Sequence, residues 1–408
     1  MTSFKPLQRR TFVTFVASQA TLAVGAPDSD VWGAPEGYPT GWGNPGGMSR
    51  HKNFRVGNFS GGFETMLPSR TIQAGAGVPL ISRPRNDIQE STVFSHRDTD
   101  DYLNRWPVTG LLIARGGEVW VEKYRFDRTA EMRMTGYSMS KSVTSLLFGI
   151  AMDRQLITSL EDRASKYAPF LAGTLHGETT LRSLLNMSSG VAAVHEEANR
   201  SIYPWALTER GSNIARTVAG WNARQEPEGT RFNYNELCPL TIGMVIRSVT
   251  GKSLSEFAQD ALWKPIGAES DATWLTDSTG DEFNCIGFAA RLRDWARLGQ
   301  LVAQHGQING RQVISRAWMD SYSKWEPNEA QVRYGALPNR PGYLLGGYKA
   351  FMWHAKSDGS QLVFNGAMGQ RVFIDIPTQT VLVQTAVDES GGWQKELYAL
   401  FQSAVSKS

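Results

Sequence analysis

A serine and a lysine three residues apart, Ser138 and Lys141, have the types and spacing of a nucleophile and its base. Residues at i and i+3 of a helix share one face, so the lysine amine can reach the serine hydroxyl. At a helix N-terminus the unpaired N–H groups also favour negative charge on the reacting oxygen. The spacing alone is a weak signal, because it recurs at Ser49–Lys52 and Ser321–Lys324. The surrounding elements must distinguish the three pairs.

The segment before Ser138 predicts a β-hairpin, and the segment after it predicts a buried helix. Two apolar runs, 111–114 and 119–121, flank Gly116–Gly117, which is typical of a tight turn between strands. From Ser138 onward, apolar residues recur with helical spacing at Met139, Val143, Leu146, Leu147 and Ile150. A lysine is costly to bury unless it is paired or neutral. This context favours a catalytic Lys141 over a structural one.

Two other interpretations of the same residues stay open. Gly136–Ser140 is one residue short of the Gly-x-Ser-x-Gly elbow of α/β-hydrolases. That mechanism would need a downstream histidine, for which His354 is the candidate, and it would leave Lys141 idle. The non-enzymatic alternative is a binding module that keeps the fold without turnover.

The sequence gives little indication of a metal site, a cofactor site or a phosphate-binding loop. The six histidines are scattered and form no His-x-x-x-His pair, so no metal site and no cofactor are expected. Gly251-Lys252-Ser253 imitates the end of a phosphate loop, but Ile246 stands where that loop needs its first glycine. Because the segment follows a predicted helix, Gly251 is interpreted as the end of that helix.

The composition is that of an ordinary globular protein of 408 residues, 41% of them apolar. Its 42 basic and 39 acidic residues give a net charge of +3 without a basic block. The electrostatic footprint of a nucleic-acid binder is therefore missing. The two cysteines, Cys238 and Cys285, are too few for a metal cage or a disulfide framework. They form either one bridge or two buried thiols.

Residues 1–26 predict an export signal. Lys5 and Arg9-Arg10 precede a mildly apolar run from 12 to 26, and residues 9–13 match the twin-arginine pattern of bacterial export. The run is too short and too polar for a stable membrane span. We expect a periplasmic or secreted protein, with a cytoplasmic one as the alternative. Residues 27–95 are rich in Gly and Pro without a sustained period, which predicts an extension that wraps or dangles.

The rest of the chain has strand character at both ends and helices between them. Residues about 155–285 are predicted to be mostly helical, with another amphipathic helix over 288–302. Strand character returns over 362–383, before a closing helix over 393–404. This order predicts an α+β fold rather than a doubly wound parallel sheet. We expect an antiparallel sheet built from N- and C-terminal segments and packed with helices, plus an inserted, mostly helical lobe.

Five motifs, in this order, resemble those of the serine hydrolases related to class C β-lactamases and DD-peptidases. They are Ser138-x-x-Lys141, Thr180–Gly190, Phe232–Glu236, Ala290–Gly299 and Gly366–Gln370. The match covers about 95 to 405 and defines a serine hydrolase domain over 96–408. Because Gly-x-x-Gly-Gln stands before the final strands, the chain looks most similar to the esterase and 6-aminohexanoate-dimer hydrolase branch. The resemblance implies a β-lactamase/transpeptidase-like fold with its site in the cleft between two lobes.

The resemblance also implies a role for each site residue. Ser138 would be the nucleophile, Lys141 its general base, and Tyr234 the phenol that relays the proton to the leaving group. The N–H groups of Ser138 and of Ala367, on an edge strand beside Gly366, would hold the oxyanion. The implied reaction is cleavage of a small carboxylic ester or linear amide through an acyl-enzyme. A β-lactamase or a D-amino-acid peptidase of the same fold is the alternative.

Two positions depart from the family pattern. Glu236 replaces an asparagine that commonly touches substrate, and Phe364-Asn365-Gly366 replaces a Lys-Thr-Gly or His-x-Gly triplet. Without that cation, a β-lactam carboxylate has no partner. Glu236 either binds an ammonium group of a positively charged substrate or pairs with Lys141 or an arginine. Pairing with Lys141 would raise the pKa of the lysine and keep it protonated, which works against its role as a base.

The residues of the expected cleft loops say little about the substrate. Aromatic side chains there suit an apolar acyl or alkyl group, although such residues more often belong to a core. They are Tyr203, Trp205, Tyr348 and Trp353.

Overall fold

A computed structural model describes residues 63–65, 67–92, 95–126, 128–192, 213–326, 329, 346–387 and 391–407. The predicted export signal at 1–26 lies outside the described residues, as do Tyr203 and Trp205. Within those ranges, no helix is long and apolar enough to cross a membrane.

The strands in chain order begin with β1 (Ser69–Ile72), β2 (Ile81–Ser82), β3 (Gln89–Thr92), β4 (Ser95–Asp98), β5 (Val108–Arg115), β6 (Glu118–Tyr124), β7 (Met134–Thr135) and β8 (Ala272–Leu275). They continue with β9 (Phe288–Ala290), β10 (Gln307–Ile308), β11 (Arg311–Gln312), β12 (Gly347–Lys349), β13 (Met352–His354), β14 (Gln361–Asn365), β15 (Arg371–Asp375) and β16 (Thr380–Ala386).

The helices in chain order are α1 (Thr99–Arg105), α2 (Met139–Asp153), α3 (Ala164–Tyr167), α4 (Leu181–Leu185), α5 (Ile214–Gly220), α6 (Leu237–Thr250), α7 (Leu254–Ala258), α8 (Leu292–Ala303), α9 (Arg316–Ser321) and α10 (Gln394–Val405). A π-helical turn, Gln259–Trp263, extends α7, and short 3₁₀ turns lie at Phe63–Thr65, Pro169–Leu171 and Ala367–Gly369.

Among the described residues, the main sheet has eight strands in the order β12-β13-β14-β15-β16-β5-β6-β2. Neighbouring strands are antiparallel except β2, which pairs parallel with β6. β5 lies in the interior of the sheet and is buried from Val108 to Ala114. β16 pairs beside it, with Leu382 opposite Ile113. The predicted antiparallel sheet, assembled from both ends of the chain, is confirmed apart from β2.

Helices cover both faces of this sheet. Gly299 of α8 lies against Val372 and Val381, where a Cβ would meet Val372 Cγ1 at 2.9 Å. On the opposite face, Phe373 stacks on Phe401 of α10 with ring centroids 5.2 Å apart. Because successive residues of a strand point to opposite faces, Val372 and Phe373 reach different helices. The strands are apolar on both faces for this reason.

The predicted hairpin is present as β5 and β6. Gly116 and Gly117, which connect the two strands, have φ of 56° and 95°. Two consecutive residues with positive φ give the turn that matches the twist of an antiparallel pair, and glycine adopts this conformation without strain.

A second sheet of four strands, in the order β1-β8-β9-β7, supports the start of α2. One expectation is wrong here. Phe288–Ala290 belongs to β9 rather than to the following helix, because it pairs with β7 and β8 on both sides. The described part of segment 27–95, expected to be an extension that wraps or dangles, pairs with the rest of the fold: β1 is antiparallel to β8, and β2 is parallel to β6.

The helices α3 to α7 fall within the segment 155–285, and α6 packs against α2. The last part of that segment departs from the expected helical character, since β8 joins the second sheet. α6 ends at Gly251, whose φ of 63° is the left-handed conformation that closes a helix. Gly251–Ser253 is therefore a helix end, as expected.

Candidate active site

Ser138 lies at the turn that leads from β7 into α2. The Gly136 N–H donates to the Phe288 carbonyl at 2.9 Å and ties this turn to β9. Tyr137 then adopts φ 47°, a conformation that is costly for a residue with a side chain. The Ser140 hydroxyl donates to the Tyr137 carbonyl at 2.7 Å and secures it. Ser138 remains partly exposed while Tyr137 and Ser140 are buried.

Lys141 is one helical turn further along α2, and its side chain is 2% exposed. Its Nζ donates to Ser138 Oγ at 3.0 Å and to the Cys285 carbonyl at 3.0 Å. The Glu236 carboxylate, also 2% exposed, lies 2.5 Å from the same nitrogen. Burial by itself lowers the pKa of Lys141, but the Glu236 charge, with smaller contributions from Tyr234 and Cys285, turns the net direction upward. The serine and lysine of the motif are in contact.

Tyr234 precedes α6 and faces Lys141, whose Nζ lies 4.9 Å from the centre of the phenol ring. Burial raises the pKa of Tyr234, while the Lys141 charge and hydrogen bonding to Ser138 and Lys141 oppose the rise. The net direction is upward, so the phenol is neutral at ordinary pH and can donate a proton. The structure thus brings together the three residues that were expected to form the catalytic unit.

An aromatic cluster holds the Tyr234 ring, with Phe232, Tyr348 and Trp353 at centroid distances of 6.3, 6.0 and 5.5 Å. Tyr348 and Trp353 are only 1% and 3% exposed. They pack behind Tyr234 as core residues and leave little surface for a substrate group.

Gly366 brings the end of β14 against the start of α2. A Cβ at Gly366 would overlap the Gly136 carbonyl oxygen and would lie 3.3 Å from Met139 Cγ. Only glycine permits this approach of the two backbones. Through this contact, the residue after Gly366 is placed beside the turn that holds Ser138.

Ala367 begins the 3₁₀ turn Ala367–Gly369. The expectation that it lies on an edge strand is wrong, because β14 lies between β13 and β15 in the sheet. Met368 and Gly369 have φ of 59° and 92°, which turns the chain back into β15. In the described part of the chain, neither the Ser138 N–H nor the Ala367 N–H has a hydrogen-bond acceptor. Both donors are left for a substrate oxygen.

Replacing Gly366 with alanine should lower kcat about 100-fold, the cost of misplacing one oxyanion donor. The added Cβ cannot coexist with the Gly136 carbonyl, so the peptide before Ala367 and the turn that holds Ser138 must shift relative to each other. The measurement is steady-state ester hydrolysis, with circular dichroism to verify folding. Gly220→Ala is the matched control, since its Cβ would meet no atom within 4 Å. Full activity in Gly366→Ala would contradict this placement of the donor.

Two groups of the site, one side chain and one backbone carbonyl, were not predicted from the sequence. Arg371, the first residue of β15, donates to the carbonyls of Gly366 and Gln370 at 2.5 and 2.7 Å. The Gly366 carbonyl and the Ala367 N–H belong to one peptide plane, so the guanidinium orients and polarises the candidate oxyanion donor. Its position directly after the Gly-x-x-Gly-Gln motif was the available signal. The Cys285 carbonyl, 144 residues from Lys141, offered none.

Glu236 and Asn365 mark the two departures from the family pattern. The Glu236 carboxylate is buried against Lys141, which favours the pairing interpretation over a carboxylate that awaits a substrate ammonium. Asn365 lies opposite Arg371 in the β14–β15 register. Arg371, on the neighbouring strand, is bound to backbone carbonyls beside this position.

The remaining candidates do not join the site. His354 is buried on β13 against Trp325, with ring centroids 4.6 Å apart, and burial lowers its pKa to about 3. Ser138 Oγ contacts Lys141 instead. Cys238 and Cys285 are buried free thiols. Within the described ranges, no three His, Cys, Asp or Glu side chains are grouped to hold a metal ion.

Comparison with known families agrees with this architecture. The Beta-lactamase family model matches residues 101–382, well over half of the chain. The chain belongs to the beta-lactamase family. The predicted resemblance and the α+β fold are therefore confirmed.

Individual proteins similar to this β-lactamase family member share the fold. The 6-aminohexanoate-dimer hydrolase of Paenarthrobacter ureafaciens is 26% identical over 297 residues, covering 70% of this chain and 74% of that protein. A candidate 6-aminohexanoate-dimer hydrolase from Bacillus anthracis superposes with a TM-score of 0.72 at 21% identity, covering 84% and 91% of the two chains. A family VIII carboxylesterase gives 0.55 at 17% identity, covering 74% and 93%. The chain is a hydrolase of the β-lactamase fold.

Proposed function

We propose that this hydrolase cleaves a carboxylic ester or a linear amide through an acyl-enzyme on Ser138. The observation that carries the proposal is the 3.0 Å contact between Lys141 Nζ and Ser138 Oγ at the start of α2. A hydroxyl is a weak nucleophile until a group within hydrogen-bond reach manages its proton. Ser138 is also partly exposed, so a substrate carbonyl can approach it.

The surrounding groups supply the other steps of an acyl transfer. As Ser138 Oγ attacks, the N–H groups of Ser138 and Ala367 would stabilise the negative oxygen. Tyr234, neutral because of its raised pKa, would donate the proton that the leaving alkoxide or amine needs. Water then attacks the acyl-enzyme from the position that the leaving group vacated. The proton transfers run in the opposite direction, and Ser138 Oγ is released.

The residues around Gly366 support an ester or a linear amide over a β-lactam. A β-lactam carboxylate needs a cation at the position of Asn365, and Arg371 already donates to two backbone carbonyls there. An unmatched charge-assisted hydrogen bond costs about 1.5–3 kcal/mol, which corresponds to a loss on the order of 10- to 100-fold. Relatives described as a 6-aminohexanoate-dimer hydrolase and a carboxylesterase are consistent with a linear amide or an ester as the bond that is cleaved.

A panel of substrates tests the proposal on the purified protein. It contains nitrophenyl esters, linear amides, D-amino-acid amides and a chromogenic cephalosporin. Esters or linear amides should be hydrolysed with a burst of leaving group, and the cephalosporin should have a kcat/KM at least about 10-fold lower. A preference for the cephalosporin or for D-amino-acid amides would make the chain a β-lactamase or a peptidase. No turnover and no labelling by a fluorophosphonate would leave a binding module.

A further inference from the structure

The nitrogen of Lys141 is surrounded as an ammonium would be. Its contacts include Ser138 Oγ at 3.0 Å, the Cys285 carbonyl at 3.0 Å and Glu236 Oε2 at 2.5 Å, and the Tyr234 side chain hydrogen-bonds to it as well. A carbonyl oxygen only accepts hydrogen bonds, and an ammonium has three N–H groups to donate. A protonated lysine has no lone pair with which to take the Ser138 proton. Before substrate binds, Lys141 can therefore accept the Ser138 proton only if it gives one of its own protons to another group.

Glu236 is the charged group in contact with Lys141, and both side chains are 2% exposed. The other titratable groups that face the pair are Tyr234 before α6, Cys238 on α6, Cys285 between β8 and β9, and Tyr348 on β12. Burial raises the pKa of each of them, that of Cys238 to about 11, so all four are neutral near neutral pH. The pair is a buried carboxylate and ammonium in a neutral surround.

We propose, on the basis of the hydrolase function above, that Glu236 is the final proton acceptor of the acylation step. Ser138 Oγ forms the bond to the substrate carbonyl carbon while its proton passes to Lys141 Nζ. Lys141 passes one of its own protons to Glu236 Oε2 at the same time. Lys141 begins and ends with three protons, Glu236 becomes a carboxylic acid, and the substrate oxygen gains the negative charge.

The reverse transfer completes the step. When the bond from the carbonyl carbon to the leaving group breaks, the proton on Glu236 returns through Lys141 and Tyr234 to the leaving atom. The ion pair is then restored, and no atom or electron is left over. One negative charge moves within the site, from the Glu236 carboxylate to the oxyanion and back. No additional isolated charge has to be created in a buried, poorly solvated site.

Replacement of the family's asparagine gives this role its chemical basis. An amide cannot take up a proton under these conditions, whereas a carboxylate can. In Glu236→Gln, only a neutral Lys141 could accept the Ser138 proton. The protonation that switches off the enzyme would then be that of a lysine instead of that of a carboxylate.

The pH dependence of kcat/KM for a neutral nitrophenyl ester distinguishes these cases, because it reports the protonation of the free enzyme. The wild-type protein gives the reference position of the acidic limb. In Glu236→Gln the limb should move to higher pH by at least about two units, a loss of about 100-fold on its acidic side. A wild-type limb above about pH 8 would overturn the proposal without any variant.

The direction of the shift is decisive. If Lys141 acts alone as a neutral base and Glu236 merely holds it protonated, removing the carboxylate must move the limb to lower pH. If Glu236 instead binds a substrate ammonium, Glu236→Gln should raise KM selectively for an amine-bearing ester and should not move the limb for a neutral ester to higher pH. Either result overturns the proposal.

Glu236→Asp keeps a carboxylate near the lysine and serves as the conservative variant. It should retain the acidic limb of the wild-type protein while kcat falls, because the shorter side chain reaches Nζ less well. An acidic limb that shifts as far in Glu236→Asp as in Glu236→Gln would contradict the role of the carboxylate.

Fluorophosphonate labelling at alkaline pH separates this question from the proposed function. An unlabelled wild-type protein would refute the acyl-enzyme itself, whereas labelled variants with the wrong shift would refute only the relay.

Discussion

Ser138→Ala should abolish both hydrolysis and covalent labelling by a fluorophosphonate. Removing the nucleophile of a serine hydrolase lowers kcat by roughly 10³- to 10⁶-fold, since only binding and the oxyanion donors remain. The fold should be unaffected, because the Ser138 side chain is partly exposed and makes no helix-capping hydrogen bond. The measurements are ester hydrolysis, labelling followed by peptide mapping, and thermal unfolding.

Ser321→Ala is the matched control for this variant. Ser321 and Lys324 have the same spacing as Ser138 and Lys141, but the Ser321 hydroxyl donates to the Trp318 carbonyl of its own helix at 2.6 Å. Its removal should leave kcat and labelling unchanged. Labelling that persists in Ser138→Ala, or that maps to a peptide without Ser138, would place the nucleophile elsewhere.

Local patterns predicted the elements that carry the site. The β5–β6 hairpin followed from two apolar runs around Gly116–Gly117, where only a short-range turn is involved. α2 followed from its apolar spacing, and its observed bounds, Met139–Asp153, place Ser138 directly before the helix. Both features depend on residues close together in the chain, which is why the sequence shows them.

Contacts between distant segments were beyond the reach of such patterns. Phe288–Ala290 is a short apolar run that periodicity cannot distinguish from the first turn of a helix, and its pairing with β7 and β8 decides it. β1 and β2 are short, largely exposed strands. β1 pairs with β8, about 200 residues further along the chain, and β2 pairs with β6 of the predicted hairpin. The sequence therefore predicted an extension that wraps or dangles without showing which strands it would pair with.

The site shows the same limit. Ser138, Lys141 and Tyr234 could be carried over from motifs. The partner of Glu236 could not, since a substrate ammonium, Lys141 and an arginine all stayed open. The structure supplies a contact between α2 and the start of α6 that no spacing encodes. The strand position expected for Ala367 failed for a related reason. Met368 adopts a positive φ, which its residue type does not signal.

Tyr234→Phe and Lys141→Met should each lower kcat strongly, by about 10²- to 10⁴-fold, because each interrupts the same movement of protons. The double variant should be little worse than the more damaged single variant, since groups that act as one unit lose their function together. The measurement is kcat for one ester across the four proteins. Clean additivity of the two losses would place one of these residues outside the proton relay.

Tyr348→Phe is the matched control for Tyr234→Phe, because both rings belong to one buried aromatic cluster. In the described part of the chain, the Tyr348 hydroxyl has no hydrogen-bond partner, so its loss should leave activity intact and stability equal or slightly higher. Lys141→Met leaves Glu236 buried without its ammonium and should cost about 3–5 kcal/mol of stability. If Lys141→Met unfolds, the two tyrosine variants still test the proton relay. A loss of kcat confined to Tyr234→Phe assigns that loss to the Tyr234 hydroxyl beside Lys141. An equal loss of kcat in Tyr348→Phe assigns it to packing of the aromatic cluster.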